Sequence, residues 1–82
     1  MLRHYLGELV TYKASDIPYT KKDYYIFKWT FDYHDILYGY KVNYNWKDTG
    51  VRKLILEVIN VNTGIKTIKD DYVTILTNRD SY

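Results

Sequence analysis

The stretch Trp46–Ile68, WKDTGVRKLILEVINVNTGIKTI, carries one short pattern twice: Asp48-Thr49-Gly50-Val51-Arg52 is echoed by Asn62-Thr63-Gly64-Ile65-Lys66. Each copy places Gly last in a three-residue connection between apolar segments. Gly enters the left-handed region without a Cβ clash, and Asp or Asn side chains bond turn backbone. The spacing predicts two β-hairpins with G1 bulges, so the repeat marks where a sheet reverses.

Asp48-Thr49-Gly50 also resembles the tripeptide that carries the catalytic carboxylate of retroviral-type aspartic proteases. The resemblance stops at three residues. Lys47 stands where that family has an apolar residue, and Val51-Arg52 stand where it has a small residue and then Asp or Ser. A like-charge carboxylate dyad also needs a second carboxylate in a desolvated site, and Lys47 and Arg52 make this neighbourhood polar. Asp48 is read as a turn residue equivalent to Asn62, and no catalytic residue is assigned.

Outward from the repeat, period-2 alternation dominates. Tyr25, Phe27, Trp29 and Phe31 share one face of a strand over Tyr24–Asp32. Tyr38, Tyr40, Val42, Tyr44 and Trp46 do the same over Leu37–Trp46, with Tyr33–Ile36 as the connection. Val51–Val61 is apolar on both faces, and its β-branched content favours a strand. Leu6–Lys13, Ile65–Lys69 and Tyr72–Leu76 complete the strands, with Asp70-Asp71 joining the last two. Ala14–Asp23 lacks strand periodicity, Pro18 disfavours a regular element, and Thr20 with Asp23 has capping-box spacing. A long loop or a short helical turn is expected there.

The 82 residues make a single domain, 1–82, with a thin core: a chain this short buries about 60–65% of its unfolded surface. It has no cysteine, which excludes disulfides and thiolate metal sites and suits the cytoplasm. The 12 Lys+Arg nearly balance 10 Asp+Glu, without a polybasic tract. No apolar run approaches the ~20 residues of a membrane span, and the N-terminus lacks a signal-peptide pattern. Eleven tyrosines are more than such a core can bury, so some rings are expected at a recognition surface.

The expected fold is all-β, a small five- to six-stranded, partly open barrel with one long irregular loop. Leu54–Leu76, LILEVINVNTGIKTIKDDYVTIL, resembles the last three strands of SH3-like barrels in its spacing. The alternative is α+β, with one short helix at Ser15–Asp23 or Arg52–Asn60 on an antiparallel sheet. Asp32, His34 and Asp35 lack the further ligands of a metal clip, so no metal and no cofactor are assigned.

The expected function is a non-enzymatic binding module that docks a protein partner on Tyr24, Trp29, Tyr38, Tyr40 and Trp46. The alternative is a barrel that binds single-stranded nucleic acid with aromatic rings and Lys28, Lys41, Lys47 and Arg52. Gly39–Tyr44 resembles the aromatic ribonucleoprotein motif in part, but Lys41 stands where an aromatic or small residue belongs. In length and tyrosine-rich composition the chain resembles small phage or plasmid accessory proteins. No membrane partner is expected. Oligomeric state and the outward face of each strand stay open, because a one-residue slip inverts every assignment.

Overall fold

The aromatic alternation of Tyr25–Phe31 lies in a five-stranded sheet in the computed structural model, which describes residues 2–77. Seven strands form in chain order: β1 (Leu2–Tyr5), β2 (Leu9–Lys13), β3 (Tyr25–Phe31), β4 (Asp35–Tyr38), β5 (Lys41–Asn45), β6 (Gly50–Asn60) and β7 (Lys66–Leu76). The main sheet runs β1-β7-β6-β3-β4, antiparallel except where β1 joins β7 in parallel. β2 and β5 form a separate antiparallel ribbon.

The protein is therefore all-β, as expected, with the ribbon laid over one face of the sheet and no closed barrel among the described residues. Alternation decides which side chains meet. Val10, Tyr12 and Ala14 from the β2 side, with Val42, Tyr44 and Trp46 from the β5 side, pack onto Phe27, Trp29, Phe31, Leu54, Leu56, Val73 and Ile75. Phe31 is fully buried at the centre, stacked on Tyr44 at 3.9 Å and edge-on to Trp46 at 5.5 Å. Aromatic pairs of this kind add about 0.5–1.5 kcal/mol beyond the area they bury.

Ala14–Asp23 is irregular until a 3-10 helix over Tyr19–Tyr24. That helix begins after Pro18, with no side-chain cap, so the Thr20–Asp23 capping box does not form. Of the two positions at which the alternative placed a short helix, the first carries only this 3-10 helix, and Arg52–Asn60 is strand throughout.

Several boundaries differ from the reading of the sequence. Leu6–Lys13 is not one strand, because the chain turns at Leu6-Gly7 between β1 and β2. Leu37–Trp46 breaks at Gly39, whose φ of 138° turns the chain from the sheet edge into the ribbon. Trp29 Nε1 donates to Gly39 O at 2.8 Å and holds this corner onto the core. Asp70-Asp71 is not a turn. Both residues lie inside the continuous β7, opposite Ile55 and Leu54.

The two Gly-containing connections also differ. Asn62-Thr63-Gly64 lies in the β6–β7 hairpin loop, where Gly64 has φ 76° and its N–H donates to Asn60 O at 2.8 Å. The side chains that organise this turn are Asn60 and Thr63, not Asn62: Asn60 Oδ1 accepts from the N–H groups of Asn62 and Thr63, and Thr63 Oγ1 accepts from that of Ile65. Asp48-Thr49-Gly50 is not a hairpin, because β5 pairs with β2 while β6 pairs with β3 and β7. It is a crossover between layers, with Gly50 at φ 101° and Arg52 clamping Thr49 O through Nε (3.0 Å) and Nη2 (2.6 Å).

Candidate binding surfaces

Position along a strand sets side, and the covering ribbon sets burial. Of the five residues expected to dock a partner, Trp29 and Trp46 are core, only 4% and 3% exposed. Their indole N–H groups are satisfied internally, by Gly39 O and by Tyr12 Oη at 2.8 Å. They are corrected from anchors to core residues, because the face carrying them is the one the ribbon covers. Tyr40 is half-buried, edge-on to Phe27 and Tyr19, and donates to Ile17 O at 2.7 Å. Tyr24 and Tyr38 are exposed, Tyr38 at 66%. The break at Gly39 explains Tyr38, since it puts Tyr38 on the opposite side from Val42, Tyr44 and Trp46.

The four cations of the nucleic-acid alternative do not converge. Lys41 is exposed on the ribbon, opposite Lys13. Lys28 lies on the far face of the main sheet, 3.6 Å from Glu57. Lys47 and Arg52 sit at the β5–β6 crossover, paired with Asp35 (3.5 Å) and Asp32 (3.2 Å). Three of the four are already neutralised locally, and no continuous phosphate track joins them.

Asp32, His34 and Asp35 stand around the β3–β4 turn, where Asp32 and Tyr33 both have positive φ. His34 divides its two nitrogens between two carboxylates, with Nδ1 3.4 Å from Asp35 and Nε2 3.9 Å from Asp32. Asp35 is committed inward, accepting from Tyr44 Oη. Burial and that bond push the Tyr44 phenol well up from its ordinary value, and the same bond holds the Asp35 carboxyl down. Among the described residues no three His, Cys, Asp or Glu side chains are grouped as a metal site.

Two surfaces remain. The first is an apolar cleft of about 610 Å³ on the ribbon side of the sheet. Trp29, Leu56 and Val58 lie in its lining, together with Ala14 and Ile17 from the segment after β2 and with Thr67 and Lys69 from β7. An ion pair between Lys69 Nζ and Asp16 ties these two flanks together. The cleft exists because β6 and β7 run eleven residues each while the ribbon strands run five. The hairpin projects past its cover, leaving Val58 half-buried and Ile65 67% exposed. Asp16, Ile17, Thr67 and Lys69 were not singled out from the sequence, since they meet only through tertiary packing. An apolar Ile17 inside an otherwise polar loop was the available signal.

The second surface is the opposite face of the sheet, which the other described elements leave open. Its cross-strand rows are Tyr38–Lys28–Glu57–Ile68 and Ile36–Thr30–Ile55–Asp70. Glu57 lies between Lys66 (3.2 Å) and Lys28 (3.6 Å), and the bond from Lys66 holds its carboxyl below the usual glutamate range. Lys53 lies 4.3 Å from the Tyr72 ring centroid and 3.7 Å from Asp70. Isoleucines and tyrosines thus alternate with internally paired charges. No described helix is long and apolar enough to cross a membrane. Comparison with protein-family models, curated proteins and solved structures finds no match.

Proposed function

We propose that the protein is a non-enzymatic binding module that docks a segment of a protein partner in the cleft between the loop after β2 and the β6–β7 hairpin. The observation that carries this reading is the cleft's size and lining. About 610 Å³ falls within the ~300–1,000 Å³ of small-molecule and cofactor pockets, which is also room for a few side chains of a partner segment, and its floor is apolar. Its charged residues include both signs, Lys13 and Lys69 beside Asp16 and Asp71. That suits apolar side chains carried on a polypeptide better than a phosphate backbone.

A cytoplasmic setting and a phage or plasmid accessory role belong to the same proposal. They rest on the absence of cysteine and on the tyrosine-rich composition.

The test compares capture by tagged wild-type protein, Ile65→Asp in the cleft and Val51→Asp on the other side, each from cells of the native host. One specific protein should be captured by wild type and Val51→Asp and lost with Ile65→Asp. Capture unchanged by Ile65→Asp, or no specific protein at all, would remove the cleft from consideration. Salt-sensitive binding to single-stranded oligonucleotides would favour the nucleic-acid alternative instead.

A further inference from the structure

β1 pairs with β7 only over Val73–Leu76, and no described strand pairs with Lys66–Tyr72 on the side away from β6. The hairpin fixes where this edge directs its backbone groups. Asn60 N–H donates to Ile65 O at 2.9 Å, which makes Asn60–Ile65 a hydrogen-bonded pair. In an antiparallel ladder such pairs recur every second residue, so Val58–Thr67 and Leu56–Lys69 are of the same kind. Thr67 and Lys69 thus direct N–H and C=O toward β6, while Lys66, Ile68 and Asp70 direct theirs outward. The bond from Leu6 N–H to Leu76 O follows the same parity on the β1 side. Beyond Asp70 the next outward donor is taken, because Tyr72 N–H donates to Asp71 Oδ1 at 2.8 Å.

We propose that this edge pairs antiparallel with the same edge of a second copy of the chain, about a two-fold axis at Ile68. Each copy then offers the N–H and C=O of Lys66, Ile68 and Asp70 to the other, so the outward-directed groups meet their complements. The side chains agree with that register. Ile68 faces Ile68, covering two isoleucines that are each 57% exposed in the single chain. Lys66 faces Asp70 of the second copy on both sides of the axis.

Within one chain Lys66 already contacts Glu57 at 3.2 Å and Asp70 contacts Lys53 at 3.7 Å. Pairing therefore joins two charge networks in alternating sign. Moving the axis to Lys69 or Asp70 sets like charges opposite each other, which destabilises a strand pair. Moving it to Thr67 leaves Asp70 facing the hairpin turn. Charged residues on an edge ordinarily oppose such pairing, and here their order is self-complementary. The dimer does not rest on the cleft reading: a two-fold axis perpendicular to the sheet keeps both clefts open on one side.

Sedimentation velocity over a concentration series tests this, with circular dichroism confirming each variant's fold. Ile68→Pro removes an outward N–H and leaves the β6 ladder intact, so it should weaken dimerisation by about tenfold or more. The chain has no cysteine, so Ile68→Cys supplies one thiol per copy. Residues opposed in a hydrogen-bonded pair have Cα atoms about 5.5 Å apart, within disulfide range. Ile68→Cys should oxidise to a covalent dimer, and Tyr72→Cys, far from its mate, should not. A wild-type monomer at every concentration, undiminished dimerisation of folded Ile68→Pro, or failure of Ile68→Cys to cross-link would each overturn the proposal. If Ile68→Pro does not fold, the wild-type series and the cysteine pair decide.

Discussion

The two ends of the β6–β7 hairpin are built alike and live differently. At the Gly50–Leu76 end, Val73 and Ile75 lie beneath the ribbon in the core, with Leu54 and Leu56 buried where the cover meets the cleft. At the turn end the same alternation continues through Val58, Ile65 and Thr67, yet these residues line an open cleft. Propensity and period do not distinguish the ends; the five-residue length of the ribbon strands does. The covered end holds the fold together, and the projecting end leaves its apolar side chains open to solvent.

The largest effect that would sharpen this contrast comes from Phe31→Ala. It opens a cavity under Tyr44 and Trp46 and should destabilise by about 3–5 kcal/mol in urea titrations, a large part of what a domain this size has. Ile65→Ala, at the projecting end, should change stability by no more than about 0.5 kcal/mol. Similar losses for the two would break the comparison.

Tyr12→Phe removes the acceptor of the buried Trp46 Nε1–H and should cost about 1–3 kcal/mol, read from the same titrations. It too belongs to the covered end.

The pH dependence follows from Tyr44, Asp35 and Glu57. A phenol pushed up in the folded state stabilises below its unfolded value, about 10, and loses that contribution as pH rises beyond it. Tyr44→Phe should therefore flatten part of the alkaline loss in thermal melts. Carboxyls held down stabilise above their unfolded values of about 4 and lose that contribution in acid. Glu57→Gln should flatten part of the acid limb and leave the alkaline limb unchanged.

The smallest expected change is that of Asp48→Asn. Asp48 is exposed at the layer crossover, so stability should move by less than about 0.5 kcal/mol. A large shift would show that the crossover is more than a connection.

Much of the strand content was legible because period-2 alternation is strong in Tyr25–Phe31 and Lys41–Asn45. The breaks were not. Gly39 interrupts an alternation that reads as continuous, and Asp70-Asp71 reads as a turn although cross-strand pairing keeps β7 straight through it. The repeated Gly pattern correctly marked two positive-φ glycines, but the same local bend serves a hairpin at Gly64 and a change of layer at Gly50. Local backbone chemistry specifies the bend and says nothing about the partner of the next strand.

For the surfaces, the tyrosine surplus correctly implied exposed rings, and Tyr24 and Tyr38 are among them. Trp29 and Trp46 are not, because side depends on what covers the sheet. By itself the sequence determined an all-β chain, its main aromatic alternations and its Gly bends, since these depend on φ/ψ preference and on neighbours one or two residues away. Only the tertiary structure decided which face was covered, where the cover ended and which edge of β7 stayed open. Those outcomes depend on the relative lengths and registers of strands far apart in the chain, which no local pattern encodes.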